Sequence, residues 1–66
     1  MTNKIKVLRA MHDMTQEELA LKTGVTRQAI LAIEKNRYTP SLELAMRISR
    51  IFSEPVENIF IYENVS

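Results

Sequence analysis

The sequence predicts an all-α fold of five short helices, and three observations carry the prediction. Apolar residues recur at three- and four-residue spacing through Ile5 and Leu8, through Ala29, Ile30 and Ile33, and through Leu44, Ala45, Ile48 and Phe52, the period of a helix with one buried face. Hydroxyl residues stand where helices would begin, at Thr15, Thr26 and Ser41, and such side chains take up the free N–H groups of a first turn. Punctuation between helices is sparse, with one glycine, Gly24, and two prolines, Pro40 and Pro55.

Sixty-six residues allow a single domain, residues 1–66, and so short a chain buries a limited share of its surface unless disulfides, metal or oligomerisation help. With no cysteine and one histidine, oligomerisation is the remaining staple, and neither metal nor other cofactor is implied. Absence of cysteine fits a reducing compartment. No apolar segment approaches the ~20 residues needed to span a bilayer, and no basic start leads into an apolar run, so a cytoplasmic protein without a membrane role is expected. Net charge is only +1, but residues 1–40 carry seven basic and four acidic side chains and residues 41–66 two basic and four acidic. The basic half is the one to examine for a polyanionic partner.

In chain order, Met1 to Lys4 reads as a frayed terminus or a short strand. Helix 1 follows, with Ile5, Leu8 and Met11 as its inner side, and should stop near His12 and Asp13, since Asp tolerates the left-handed backbone better than most residues. Thr15 and Glu18 form a T-x-x-E capping box, with Met14 as the apolar residue before the cap. A helix therefore starts at about Gln16, with Leu19 and Ala20 buried. Gly24 supplies the turn, Val25 fills the corner, and Thr26 caps a second helix whose outside is Arg27, Gln28, Leu31, Ala32 and Lys35. Two helices crossing at a glycine turn over about residues 16–35, the second presenting polar groups, form a helix-turn-helix. Arg and Gln in the first turn of such a helix bond guanine and adenine edges in a major groove.

Beyond it, Pro40 pushes Thr39 out of helical geometry, and Ser41 caps helix 4, whose wet side is Glu43, Arg47, Arg50 and Glu54. Ser53 follows helix 4 and is either strained or ends the helix differently. Pro55 opens a last helical turn through Asn58. Ile59, Phe60, Ile61 and Tyr62 form an apolar run with β character, readable as core, edge strand or interface.

Gln16-Glu17-Glu18-Leu19-Ala20, Gly24-Val25-Thr26-Arg27-Gln28, Ile33-Glu34-Lys35-Asn36 and Tyr38-Thr39-Pro40-Ser41-Leu42-Glu43-Leu44-Ala45 resemble the Cro and phage-repressor family of transcriptional regulators, also called the xenobiotic-response-element family. The likeness runs from about Ile5 to Phe60 and is greatest to small stand-alone members such as the cytolysin repressor. It implies a lambda-repressor-like five-helix domain, with Phe60 to Tyr62 pairing with Thr2 to Lys4 in a small antiparallel sheet. It also implies an ion pair between Arg9 and Glu34, against the alternative that Arg9 meets a DNA phosphate. Carried over residue by residue, Gln16, Asn36, Arg37 and the backbone near Tyr38 contact phosphates, with Lys35 and Lys6 as weaker candidates. Base contacts fall to Arg27 and Gln28, with Thr26 adding a methyl or hydroxyl; Leu31 either touches a thymine methyl or is an isolated exposed Leu.

One such helix covers few base pairs, whereas a two-fold dimer presents two, about 34 Å apart, to a palindrome. Pro40, Leu42, Val56, Ile59, Phe60 and Tyr62 are the expected interface, with Ile59 or Phe60 alternatively completing the core. The expected function is a sequence-specific double-stranded DNA-binding regulator, a homodimeric repressor of a palindromic operator. Alternatives are an antitoxin, a restriction-system controller, or an interaction module that has lost its operator. No stretch suggests a sensor for a small ligand. An enzyme is not expected: His12 has no acid or nucleophile placed beside it, and Glu17 and Glu18, as adjacent residues, do not face each other on a helix. The Asn64-Val65-Ser66 match to a glycosylation acceptor is read as chance.

Overall fold

The structure is a computed structural model and describes residues 1–63; the Asn64-Val65-Ser66 triplet lies outside the described residues. The elements are β1 (Thr2–Asn3), α1 (Ile5–Met11), α2 (Gln16–Thr23), α3 (Arg27–Glu34), α4 (Leu42–Phe52), α5 (Val56–Ile59) and β2 (Phe60–Ile61). Five helices and a two-stranded antiparallel sheet make the lambda-repressor-like architecture that the resemblance implies.

Three of the five helices begin with side-chain caps, and four end on left-handed residues. The hydroxyls of Thr15, Thr26 and Ser41 accept the N–H groups of Glu18, Ala29 and Leu44 at the starts of α2, α3 and α4. At the other ends, Asp13 (φ 54°), Gly24 (φ 76°), Asn36 (φ 60°) and Ser53 (φ 54°) turn the chain away. After α3 the N–H of Asn36 donates to the Ile33 carbonyl at 3.0 Å and that of Arg37 to the Ala32 carbonyl at 2.9 Å. The same pair of bonds closes α1, through Asp13 and Met14, and α4, through Ser53 and Glu54. This Schellman arrangement satisfies carbonyls that a helix end leaves orphaned.

The core draws on every helix: Ile5, Leu19, Ile30, Ile48 and Ile59 are fully buried and Ile33 is 1% exposed, with Leu8, Ala20, Leu44, Ala45 and Phe52 around them. Met14 and Val25 pack against this cluster from the two turns. The sheet pairs Thr2 with Ile61 and Asn3 with Phe60, and the N–H of Lys4 extends it by donating to the Ile59 carbonyl at 2.8 Å. Residues 2–4 are thereby tied to residues 59–61.

Two expectations are corrected. Met11 is 74% exposed, because six residues of helix carry it about 120° round from Ile5. His12, the next residue, is exposed as expected, with its ring 5.2 Å from that of Phe52. Ile59, expected at the interface, has no exposed surface. As the last residue of α5 it faces the core while its carbonyl accepts from the Lys4 N–H, so it is unavailable to a second molecule.

Candidate nucleic-acid interface

The helix-turn-helix is built from α2 and α3. At its entry the Thr15 hydroxyl accepts from the Glu18 N–H at 3.0 Å, and the Glu18 carboxylate accepts from the Thr15 N–H at 3.2 Å. At the turn, the buried Thr23 hydroxyl donates back to the Leu19 carbonyl at 2.8 Å, and Gly24 follows in the left-handed conformation. The turn is braced from α4: Arg47 Nη1 donates to the Thr23 carbonyl at 3.1 Å while its Nη2 pairs with Glu43 at 2.6 Å. A cation at a helix C-terminus opposes the partial negative charge gathered there. Sequence spacing placed Arg47 on the wet side of its helix, which is true of its guanidinium, but it held no sign of this reach across 24 residues.

On α3, Ile30 and Ile33 anchor the inner side. Arg27, Gln28 and Lys35 are exposed, and among the described residues their side chains make no hydrogen bond or ion pair. Thr26 has its oxygen committed to the Ala29 N–H at 3.1 Å, which leaves its methyl and hydroxyl proton for a ligand. Leu31 and Ala32 are half-buried rather than fully outward, for they stand at the flanks of the exposed stripe. Arg27 lies on the flank nearer α2, where it lines an open groove with Arg9, Asp13, Thr15, Gln16 and Glu17. Gln16 and Arg27 thus border one concavity.

The floor of that concavity is a network joining three helices. Arg9 meets Glu34 through two nearly parallel bonds, Nε to Oε2 at 2.7 Å and Nη2 to Oε1 at 3.1 Å, and its Nη1 donates to the Met14 carbonyl at 3.1 Å. The two side chains are 14% and 7% exposed. Arg9 is therefore engaged within the protein, not offered to DNA. Gln16 Nε2 donates to Glu34 Oε1 at 3.3 Å, so one amide proton is held and the other remains for an acceptor outside.

At the far end of α3, Asn36, Arg37 and Tyr38 are exposed. Asn36 is held by a residue that sequence reasoning passed over, Asn3 of β1, whose Nδ2 donates to Asn36 Oδ1 at 2.9 Å. No local pattern could have paired residues 33 positions apart.

Comparison with known proteins gives the same answer. A helix-turn-helix family model matches residues 5–58. The chain belongs to the Cro/C1-type helix-turn-helix family. It is 56% identical over 64 residues to an HTH-type transcriptional regulator of Methanocaldococcus jannaschii, covering 97% of each chain. It is also 49% identical over 63 residues to the HTH-type regulator YgzD of Bacillus subtilis, covering 96% of each. The Vibrio cholerae phage CTXphi transcriptional repressor RstR is 33% identical over 58 residues, which span 88% of this chain and 52% of RstR. Membership of the Cro/C1-type family carries DNA-binding transcription regulation with it. No helix among the described residues is long and apolar enough to cross a membrane.

This Cro/C1-type domain also exposes apolar surface away from α3. Pro40, Leu42, Val56 and Phe60 line one cleft together with Met1, and Leu42 continues into a second beside Met46 and Arg50. Leu42 is 73% and Tyr62 79% exposed, Met46 about half. Met1 and Met46 were absent from the expected interface; their position on the rim of this face is visible only once α4 and the sheet are assembled.

Proposed function

We propose that the chain is a transcriptional repressor that binds a palindromic operator as a homodimer. One observation carries the reading: α3 is anchored by Ile30 and Ile33 while Arg27, Gln28 and Lys35 stand outward with no partner among the described residues. Polar side chains held on a rigid helix and left unsatisfied are suited to reading base edges. In this reading Arg27 and Gln28 make the base contacts, Thr26 and Leu31 add apolar ones, and Gln16, Lys35, Asn36, Arg37 and the Tyr38 backbone grip phosphates. Phosphate contacts set register and base contacts set sequence.

The dimer follows from how little one α3 covers and from the apolar face of Pro40, Leu42, Val56, Phe60 and Tyr62, to which Met1 and Met46 are added. A bare dimer of this size acts most simply by occluding a promoter. RstR, a relative named as a repressor, favours the same sign of regulation.

The test is selection of duplexes from a random DNA pool, followed by titration of the enriched sequence. A palindrome with half-sites about one helical turn apart, whose preference is lost in Arg27→Ala and Gln28→Ala, is the expected result. Binding with no enriched sequence, abolished simply by salt, would mean that only the backbone electrostatic attraction is present and would end the operator reading.

A further inference from the structure

We propose that Asn3 is a positioning residue for DNA: it holds the Asn36 amide in the one orientation that turns its N–H2 group outward to a phosphate. The proposal rests on the reading above that Asn36 contacts the backbone. It begins from three bonds made by a single half-buried side chain. Asn3 Oδ1 accepts from the Ile5 N–H at 3.2 Å, and Asn3 Nδ2 donates both to the Ile33 carbonyl at 2.8 Å and to Asn36 Oδ1 at 2.9 Å.

These partners leave no freedom in which end of each amide is which. A backbone N–H only donates, so the Asn3 atom facing Ile5 is the oxygen; a carbonyl only accepts, so the atom facing Ile33 is the nitrogen. The atom that Asn36 turns toward that nitrogen must then be an acceptor, its Oδ1. Asn36 Nδ2 therefore points away from Asn3, on the exposed end of α3, and bonds to no described residue. Without Asn3 the two ends of the Asn36 amide would be nearly equivalent in water, and an oxygen turned outward would repel a phosphate.

The backbone supports the same arrangement. Asn36 is the left-handed residue of the α3 stop, so its Cα is fixed by the bonds to Ile33 and Ala32, and the Ile33 carbonyl is shared between that stop and Asn3. Asn3 is in turn fixed by strand pairing with Phe60. The small terminal sheet thus serves as the mount from which one donor of the DNA surface is aimed.

Because Asn36 is neutral, its bond to a phosphate adds affinity on any sequence and neutralises no charge. The experiment uses the full chain, the duplex enriched by selection and an unrelated duplex. Its variants are Asn36→Ala, Asn3→Ser and the double variant; Ser retains an oxygen for the Ile5 N–H, as a capping residue does, but cannot reach Asn36. Asn36→Ala is expected to bind both duplexes about tenfold more weakly, and Asn3→Ser several-fold more weakly, with the ratio between duplexes unchanged. The double variant should match Asn36→Ala alone. Scanning the duplex with single methylphosphonates should find one phosphate whose neutralisation weakens wild type, weakens Asn3→Ser less, and leaves Asn36→Ala unaffected.

A double variant weaker than Asn36→Ala by the full Asn3→Ser factor, or an Asn3→Ser that loses its preference between duplexes, would show a structural role and overturn the proposal. Full affinity in Asn36→Ala would overturn it as well. Wild-type protein that binds no duplex would instead overturn the DNA reading itself, and Asn3 with it.

Discussion

At the residue scale, the chain stops its helices on four left-handed positions and has one glycine with which to do so. Asp13 and Asn36 are of the residue types that tolerate that backbone better than most, and this much was legible from residue type. Ser53 was readable only as an ambiguity, strained or ending its helix differently; its φ of 54° decides for strain. Ser53→Gly should therefore stabilise the fold by about 1 kcal/mol, raising the thermal midpoint by several degrees, with the α4 stop otherwise unchanged. Gly24→Ala should destabilise by about 1–2 kcal/mol, and the cause is again torsional. A Cβ there would meet Arg47 Nη1 at 3.5 Å, an ordinary contact, so removing the neighbour in a Gly24→Ala, Arg47→Ala pair should not restore the loss. Urea unfolding of the single and paired variants measures both effects. Asn3 and Arg47 lay beyond the sequence for one reason: each acts through a bond spanning 24 to 33 residues, and spacing informs only about neighbours on one helix.

At the scale of elements, periodicity located the helices and their inner faces, and it missed at Met11, where the helix was too short for the period to declare itself. In the seven residues of α1, two successive steps of three from Ile5 through Leu8 to Met11 drift off the inner side, and Met11 is exposed. The joint between α1 and α3 was legible only through resemblance, since nothing in the spacing of Arg9 and Glu34 links them. Its energetics follow from its burial. With Glu34 7% exposed and Arg9 14%, removing either partner strands the other charge, and Glu34→Ala or Arg9→Ala should cost about 3–5 kcal/mol. Arg9→Met combined with Glu34→Leu should cost less than either single variant, because no uncompensated charge remains. Denaturant midpoints at matched slope distinguish the cases; a double variant as unstable as the sum of the singles would mean that the pair matters for packing and not for charge. Since Gln16 hangs from Glu34, the same double variant should also weaken DNA binding even where it folds.

For the whole molecule, the question is what covers the apolar face that adjoins the Asn36 end of α3. Leu42, Met46 and Tyr62 are too exposed to contribute much to the monomer, and in the proposed dimer a two-fold mate would cover the face at Leu42 and Met46 while setting the spacing of the two α3 helices. Sequence reasoning chose Leu42 and Tyr62 by counting apolar side chains surplus to the core, and it left Ile59 open between core and interface because the run Ile59 to Tyr62 is apolar throughout and shows no period that picks an inner side. Burial separates Ile59 from Leu42 and makes the dimer testable. Leu42→Glu should leave the monomer's thermal stability, measured at low micromolar concentration, within about 0.5 kcal/mol, as expected for an exposed position. It should nevertheless halve the mass found by sedimentation and remove binding to a palindrome while leaving weak binding to a half-site. Ile59→Glu, by contrast, should prevent folding altogether. If Leu42→Glu sediments and binds like wild type, the apolar face is not the dimer contact, and the two α3 helices would have to be brought to their operator by some other surface of the domain.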